Sequence, residues 1–199
     1  DLRAMIEAFD FPYVDLMGHS IGSSVIWSYY DLFDDYYPGR MALADQAPPV
    51  SVKLDWLVED IVTHGCLLPD LPVLAEFYLD ALGAEADEVR APLVVRLFSP
   101  KNSPDELLHF ASEIVESPRR HAADPLCSLD WCGVIKMIHL PTLVVGAEES
   151  IFASESKVWT ADQIPDAEVE ILSADEGVAY FMCYENPTKF NALVSAFLS

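Results

Sequence analysis

The 199-residue sequence has few basic residues and no long apolar run. Lys and Arg total 11 against 33 Asp and Glu, which gives a formal net charge of −22 at pH 7. Such an acidic surface repels phosphate groups, so we expect neither nucleic acid nor an anionic membrane as a partner. No apolar run reaches the roughly 18 residues that span a bilayer. Hydrophobic residues still make up 52% of the sequence, enough to build a core and to exclude a disordered chain.

Cysteines are also few, and their spacing is uninformative. None of the four forms a CxxC pair, and the segment between Cys127 and Cys132 has no histidine at metal-ligand spacing. This pattern predicts free thiols, buried or half-buried, no metal site and a reducing cytoplasmic location. The first residue, Asp1, lies within a helix-like pattern, so we expect the chain to be the C-terminal part of a longer protein.

Both ends of the chain alternate between helix-like and strand-like patterns. The pattern predicts short buried strands at 13–17, 41–45, 141–146 and 167–172. Helices are predicted near 2–9, 23–35 and 154–164, and after Asn186-Pro187. Pro38 and Gly39 are expected to end the second of these helices. This alternation predicts an α/β fold with a parallel sheet, crossover helices and strands side by side in chain order.

The middle of the chain has a different rhythm. Nine prolines divide it into short segments, several of which carry apolar residues at helical spacing. These stripes are Trp56, Leu57 and Ile61, then Leu74, Phe77, Tyr78, Ala81 and Leu82, then Leu107, Leu108, Ala111 and Ile114. We therefore predict three segments: a core over 1–49, an all-helical insert over 50–132, and a second core segment over 133–199.

One pentapeptide indicates a chemistry: Gly18-His19-Ser20-Ile21-Gly22 has the form G-x-S-x-G. It directly follows a predicted strand and directly precedes a predicted helix. That context is typical of a nucleophile elbow, in which a serine lies on a strained turn and small flanking residues make room for it. The helix N-terminus and the Ile21 amide would face a developing oxyanion. The alternative is a glycine-rich strand–helix turn of another α/β fold.

With this motif, the sequence resembles the α/β-hydrolase superfamily over almost its whole length. Three more segments are similar to family motifs: residues 41–48 (MALADQAP), residues 138–146 (IHLPTLVVG) and residues 185–191 (ENPTKFN). The insert lies where the family has its helical cap. The resemblance implies the C-terminal part of that fold, a parallel half-sheet of its last four strands. It also implies that the second oxyanion amide belongs to a segment before Asp1.

The resemblance implies two candidates for the acid of a catalytic triad. The family usually carries its acid just after the strand at 141–146, where Ser150 stands here. Some members carry it at the end of the strand after the nucleophile helix, which is the place of Asp45. We therefore predict Asp45 as the acid, with Glu149 as the alternative. A solvated or loop-capping Asp45 stays open.

The base position differs from the family pattern, because Tyr180 stands where the resemblance implies a histidine. A phenol is mostly protonated at neutral pH and is a poor base for a serine hydroxyl. His19 is expected to pack beside Ser20, and His139 lies before its strand, at the wrong end of the sheet. The other histidines, His64, His109 and His121, fall in the insert, from which one could reach Ser20.

Two functions are consistent with this pattern. The first is a serine hydrolase, esterase-like, acting through Ser20 on small apolar esters or amides, with an impaired triad. The second is a non-catalytic relative that binds a small ligand under the cap, where Trp56, Phe77, Tyr78, Phe98 and Phe110 are candidates to line an apolar pocket or simply to pack between helices. Neither function requires a metal or organic cofactor, and both imply a small-molecule partner. The sequence predicts no oligomeric state.

Overall fold

A computed structural model describes residues 1–48, 56–65, 95, 97–102, 107–110 and 129–199. Its centre is a parallel sheet of four strands in the order β1-β2-β3-β4. The strands are β1 (Val14–His19), β2 (Pro38–Ala44), β3 (Thr142–Ala147) and β4 (Ala167–Leu172). The predicted parallel half-sheet, with its strands side by side in chain order, is confirmed.

The helices that the structure describes connect and cover these strands. They are α1 (Leu2–Phe9), α2 (Ile21–Phe33), α3 (Val58–His64), α4 (Cys132–Ile135), α5 (Ser154–Asp162), α6 (Met182–Glu185) and α7 (Pro187–Leu198), with a 3-10 helix at Ala174–Glu176. Helix α7 begins as predicted: Pro187 is its first residue, and the Asn186 side chain accepts a hydrogen bond from the Lys189 amide. Within these residues, no helix is long and apolar enough to cross a membrane.

Both faces of the sheet are covered, which explains the nearly continuous apolar runs of β2 and β3. In β2, Met41 and Leu43 pack into one hydrophobic cluster, while Ala42 and Ala44 face the other. The first cluster also takes in Ile26, Trp27 and Tyr30 of α2 together with Trp131, Ile135 and Ile138. The second is closed by Leu172, Val178, Met182 and Phe190. The sheet is thus a rigid platform whose strand ends can position side chains.

Some predicted boundaries were wrong. Helix α2 ends at Phe33, ahead of Pro38 and Gly39, but β2 begins at Pro38 rather than at the predicted Met41. Proline is compatible with the first residue of a strand, where its missing N–H costs least.

Cys183 is exposed rather than buried or half-buried, whereas Cys132 is of intermediate exposure.

Only part of the predicted insert can be described. Ile61 lies in α3, but Trp56 and Leu57 precede that helix. Leu107 and Leu108 lie in a helical stretch at 107–110. The stripe from Leu74 to Leu82, with Phe77 and Tyr78, lies outside the described residues, as do Ala111, Ile114, His121, Cys66 and Cys127. The segment boundaries at 49/50 and 132/133 stay a prediction.

Candidate active site

Ser20 occupies a strained turn between β1 and α2. Its backbone has φ 53° and ψ −124°, a conformation that residues with a Cβ rarely adopt. The Ser20 amide donates to the Ala44 carbonyl at 2.7 Å, which ties the turn to the end of β2. Ile21 opens the helix, and its N–H has no hydrogen-bond partner among the described residues. The turn therefore presents a serine side chain and a free amide together at the N-terminus of α2.

The two glycines of the pentapeptide have different steric roles. A Cβ on Gly18 would lie 2.5 Å from the Gly22 carbonyl carbon and 2.6 Å from the Ser23 amide nitrogen. A Cβ on Gly22 would meet nothing within 4 Å. The expectation that small residues on both sides make room for the turn therefore holds for Gly18 and is wrong for Gly22 among the described residues.

The Ser20 hydroxyl lies between a phenol and a side-chain amide. The Tyr180 hydroxyl donates a hydrogen bond to Ser20 Oγ. Ser20 Oγ in turn donates to Gln46 Oε1 at 3.5 Å, a long hydrogen bond. The structure therefore brings Tyr180 to Ser20, at the place where the sequence analysis expected the base. Neither a phenol nor an amide oxygen readily accepts the serine proton at neutral pH.

The loop that carries Tyr180 is held from several sides. His19 Nε2 lies 2.7 Å from the Tyr180 carbonyl oxygen, and the two rings meet edge to face at 4.8 Å. The Tyr180 amide donates to the Leu97 carbonyl at 3.1 Å. His19, the residue before Ser20, thus packs against the Tyr180 loop and helps to position it.

Glu185 fastens this loop to residues 97–102. Its carboxylate accepts hydrogen bonds from the amides of Ser99 at 2.7 Å and Ala179 at 2.8 Å, and from Asn102 Nδ2 at 2.8 Å. Burial raises the pKa of the Glu185 carboxyl, and these hydrogen bonds oppose that shift. The contacts make Glu185 a link between the predicted insert and the Tyr180 loop.

Asp45 is buried at the end of β2 and has a partner at each carboxylate oxygen. Ser150 Oγ donates to Oδ2 at 2.5 Å, and Lys157 Nζ lies 3.0 Å from Oδ1. Burial raises the pKa of Asp45 and lowers the pKa of Lys157, and the charge of each residue opposes the shift in the other. The Asp45 carboxylate is thus engaged by Ser150, the residue at the family's usual acid position, and by a buried lysine.

Glu149, the alternative acid, forms a hydrogen bond with Ser99 of the 97–102 segment. Its Oε2 accepts a hydrogen bond from Ser99 Oγ at 2.5 Å. This contact draws Glu149 to the segment at 97–102, the same segment that Glu185 holds. The acid roles of Asp45 and Glu149 stay proposals.

Sequence reasoning missed three residues around this site: Gln46, Lys157 and Glu185. A glycine was the one signal for Lys157, because a Cβ on Gly146 would lie 2.6 Å from Lys157 Cγ. Glycine within a strand often marks the close approach of another group. Glu185 lies in the segment ENPTKFN, which by itself predicts only the start of the last helix.

Of the other described histidines, His139 and His64 have contacts that do not include Ser20. His139 lies 2.8 Å from the Tyr30 hydroxyl and 3.2 Å from Asp35, at the opposite edge of the sheet. His64 Nδ1 contacts the Asp60 carbonyl at 2.7 Å. His109 is exposed. Asp34, Asp35 and His139 bring ligand-type atoms within 4.8 Å of one another, but all three are exposed, and acidic surface groups are often close without binding metal.

The aromatic residues expected to line a pocket are packed where they can be described. Phe98 stacks on Phe181 at 4.6 Å, and Phe110 stacks on Tyr184 at 4.1 Å. Trp56 stacks on His64 at 4.4 Å. For these three residues, packing between elements is the better description. Phe77 and Tyr78 lie outside the described residues.

Solved structures share this fold, although the sequence matches no family model and no curated protein. A bromoperoxidase from Bacillus anthracis aligns with a TM-score of 0.81 over 99% of this chain and 71% of its own, at 15% identity. An esterase from Exiguobacterium antarcticum aligns with a TM-score of 0.78 over 100% and 72%, at 18% identity. An esterase from Rhodococcus sp. ECU1013 aligns with a TM-score of 0.75 over 99% and 69%, at 16% identity. At such identities the similarity concerns the fold.

Proposed function

We propose that this chain, whose fold is that of the α/β-hydrolases, carries a serine-hydrolase site for small apolar esters or amides that turns over slowly. Ser20 is the nucleophile, and the Ile21 amide is an oxyanion donor. The observation that supports this most is the strained backbone of Ser20 at the N-terminus of α2, with φ 53°. Several structures with this fold are esterases, which favours an ester as the substrate class.

The reaction would proceed by acyl transfer. Ser20 Oγ attacks the carbonyl carbon of the substrate, and the carbonyl oxygen takes up negative charge beside the Ile21 N–H. The serine proton has to leave as the new C–O bond forms. When the tetrahedral intermediate collapses, the C–O or C–N bond of the substrate breaks, and the alcohol or amine leaves with a proton while the acyl group stays on Ser20. The partners of Ser20 Oγ are the Tyr180 hydroxyl and Gln46 Oε1. Because neither is a good base at neutral pH, we expect slow acylation.

Asp45 is the proposed acid of the site, and its contacts suggest a limited role. An acid in such a triad orients an imidazole and stabilises its positive charge. Here the positive charge beside Asp45 is that of Lys157, at 3.0 Å. We propose that Asp45 mainly stabilises the end of β2, from which the site is built.

The runner-up function is a ligand-binding protein without catalysis. The hydrogen bond from the Tyr180 hydroxyl to Ser20 favours it, because it fixes the serine in a neutral pair. The two functions differ in whether Ser20 reacts covalently with an electrophile.

A reactive phosphonate distinguishes the two functions. We expect an alkyl fluorophosphonate to add one phosphonyl group to the chain over hours, detected by intact-protein mass spectrometry and located on Ser20 by peptide mapping. Ser20→Ala is the control and should remain unlabelled. Equal labelling of both proteins, or no labelling of either, would refute the hydrolase proposal.

We also propose a cytoplasmic location, on the scarcity and scatter of the cysteines. Cys183 is an exposed thiol in the described part of the chain. Fractionation of the cells that express the protein would test this location. Recovery of the protein from an oxidising compartment, with its cysteines in disulfides, would contradict it.

A further inference from the structure

Gln46 is a nearly buried amide beside the reactive serine, and one half of it has no partner. The residue is 6% exposed. Its Oε1 accepts the long hydrogen bond from Ser20 Oγ at 3.5 Å. Its Nε2 makes no hydrogen bond among the described residues. Although the residue is nearly buried, Nε2 itself keeps contact with solvent, so this donor is open to a small molecule beside Ser20.

A ligand with an acceptor oxygen explains the arrangement. Gln46 follows Asp45 directly at the end of β2, and the Ser20 amide binds the Ala44 carbonyl at 2.7 Å, so the two turns are held side by side. A ligand oxygen can take the place of the water that otherwise satisfies this donor. The side-chain amide of a glutamine can accept one hydrogen bond through its oxygen while it donates another through its nitrogen.

We propose that Gln46 is the ligand-recognition residue of this site: Nε2 donates to the acceptor oxygen of a bound ester, amide or phosphonate, while Oε1 holds the Ser20 hydroxyl hydrogen. This inference rests on the proposed function and specifies its ligand as one with an acceptor oxygen within reach of Ser20. It also agrees with the slow acylation expected above, because the serine proton is directed to an amide oxygen.

Two substitutions separate the two halves of the amide. Gln46→Met removes both the donor and the acceptor at similar volume. Gln46→Glu removes the donor but keeps an oxygen facing Ser20, now as a carboxylate. With that carboxylate, Ser20 Oγ bonds to phosphorus, fluoride leaves with the P–F electron pair, and the serine proton passes to the carboxylate.

The readout is the labelling of Ser20 by an alkyl fluorophosphonate, resolved into the half-saturating concentration KI and the maximal rate kinact. We expect both variants to raise KI by about fivefold, because each loses a neutral hydrogen bond to the phosphonyl oxygen. We expect Gln46→Glu alone to raise kinact, by at least about tenfold, because a general base is added. This gain should appear as the pH rises through the carboxyl pKa, between about pH 4 and about pH 7.

Gln163→Glu is the matched control. Gln163 directly follows α5, the helix that leads to the start of β4, whereas Ser20 and Gln46 lie at the C-terminal ends of the strands. This substitution should change neither KI nor kinact. Ser20→Ala in the Gln46→Glu background should abolish labelling. Circular dichroism verifies the fold of each variant, and Gln46→Met alone decides the role of the donor if Gln46→Glu does not fold.

The outcomes distinguish this inference from the function on which it rests. If the unaltered chain is labelled at Ser20 but Gln46→Met leaves KI unchanged, Gln46 does not recognise the ligand. If Gln46→Glu gives no more kinact than Gln46→Met at any pH, Oε1 does not hold the serine proton. If no protein in the series is labelled at Ser20, the hydrolase proposal itself fails.

Discussion

At the scale of single residues, the buried ion pair of Asp45 and Lys157 is expected to have a large effect on the free energy of unfolding. Both side chains are almost fully buried, and Nζ and Oδ1 are 3.0 Å apart. Lys157 Nζ also donates to the Phe152 carbonyl at 3.2 Å. A buried charge that loses its partner is strongly destabilising, whereas removal of both charges is often tolerated.

We expect Lys157→Met to lower the free energy of unfolding by about 3–5 kcal/mol, because Asp45 is left as an uncompensated buried carboxyl. The double substitution Asp45→Asn with Lys157→Met should recover at least about half of that loss. Urea denaturation measures both. Lys136→Met, at an exposed lysine, is the matched control and should cost less than about 0.5 kcal/mol. A loss at Lys157 no larger than at Lys136 would show that the pair is not structurally important.

Only one member of this pair could be placed from the sequence. The carboxylate of Asp45 could be placed at a strand end from its position after an apolar run. Its partner could not be foreseen, because a lysine in the middle of a helix that also carries Glu155 and Asp162 is ordinarily expected to be exposed. Lys157 is instead buried, beside Gly146, and it forms an ion pair with Asp45 from the neighbouring element.

At the scale of elements, the turn between β1 and α2 depends on one close backbone approach. Gly18 lies in β1 against the first turn of α2, and a Cβ there would lie 2.6 Å from the Ser23 amide nitrogen. The turn also receives a hydrogen bond from Ser23 Oγ to the Gly18 carbonyl at 2.9 Å. The conformation of Ser20 is thus maintained by packing around it rather than by its own preference.

We predict opposite outcomes for alanine at the two glycines of this turn. Gly18→Ala should cost about 2 kcal/mol or more, because the new methyl group collides with backbone atoms that cannot rotate away. Gly22→Ala meets open space within a helix and should change stability by less than about 1 kcal/mol, in the stabilising direction. Thermal unfolding of the two variants side by side measures the difference. Equal destabilisation would mean that the turn does not pack as described.

The elements themselves were largely predictable because their signals are local. The apolar run at 141–146 is buried on both faces, so it reads as a strand without reference to the rest of the chain. The start of β2 at Pro38 was missed, because a Pro-Gly pair signals a turn more often than a strand. The packing of Phe98 and Phe110 on Phe181 and Tyr184 joins distant segments, and no local pattern reports it.

At the scale of the whole molecule, the parallel sheet brings four separate segments together at one edge. The carboxyl ends of neighbouring parallel strands lie side by side, so Ser20, Asp45 and the turn after β3 had to converge once the strand order was known. The sequence therefore predicts which segments form the site. It does not predict which side chains bind one another there, because that depends on packing between segments far apart in the chain.

The central claim is that Ser20 is a nucleophile without an effective base, and p-nitrophenyl acetate hydrolysis tests it most directly. Turnover should be measured for the chain, for Ser20→Ala and for Tyr180→His. Loss of the base costs on the order of a million-fold in turnover in a well-studied serine hydrolase, so we expect the chain to exceed Ser20→Ala only slightly. Tyr180→His should add less than about tenfold, because both oxygens of Asp45 are already engaged. Rapid turnover by the unaltered chain that Ser20→Ala abolishes would contradict this account, since another group would then be accepting the serine proton.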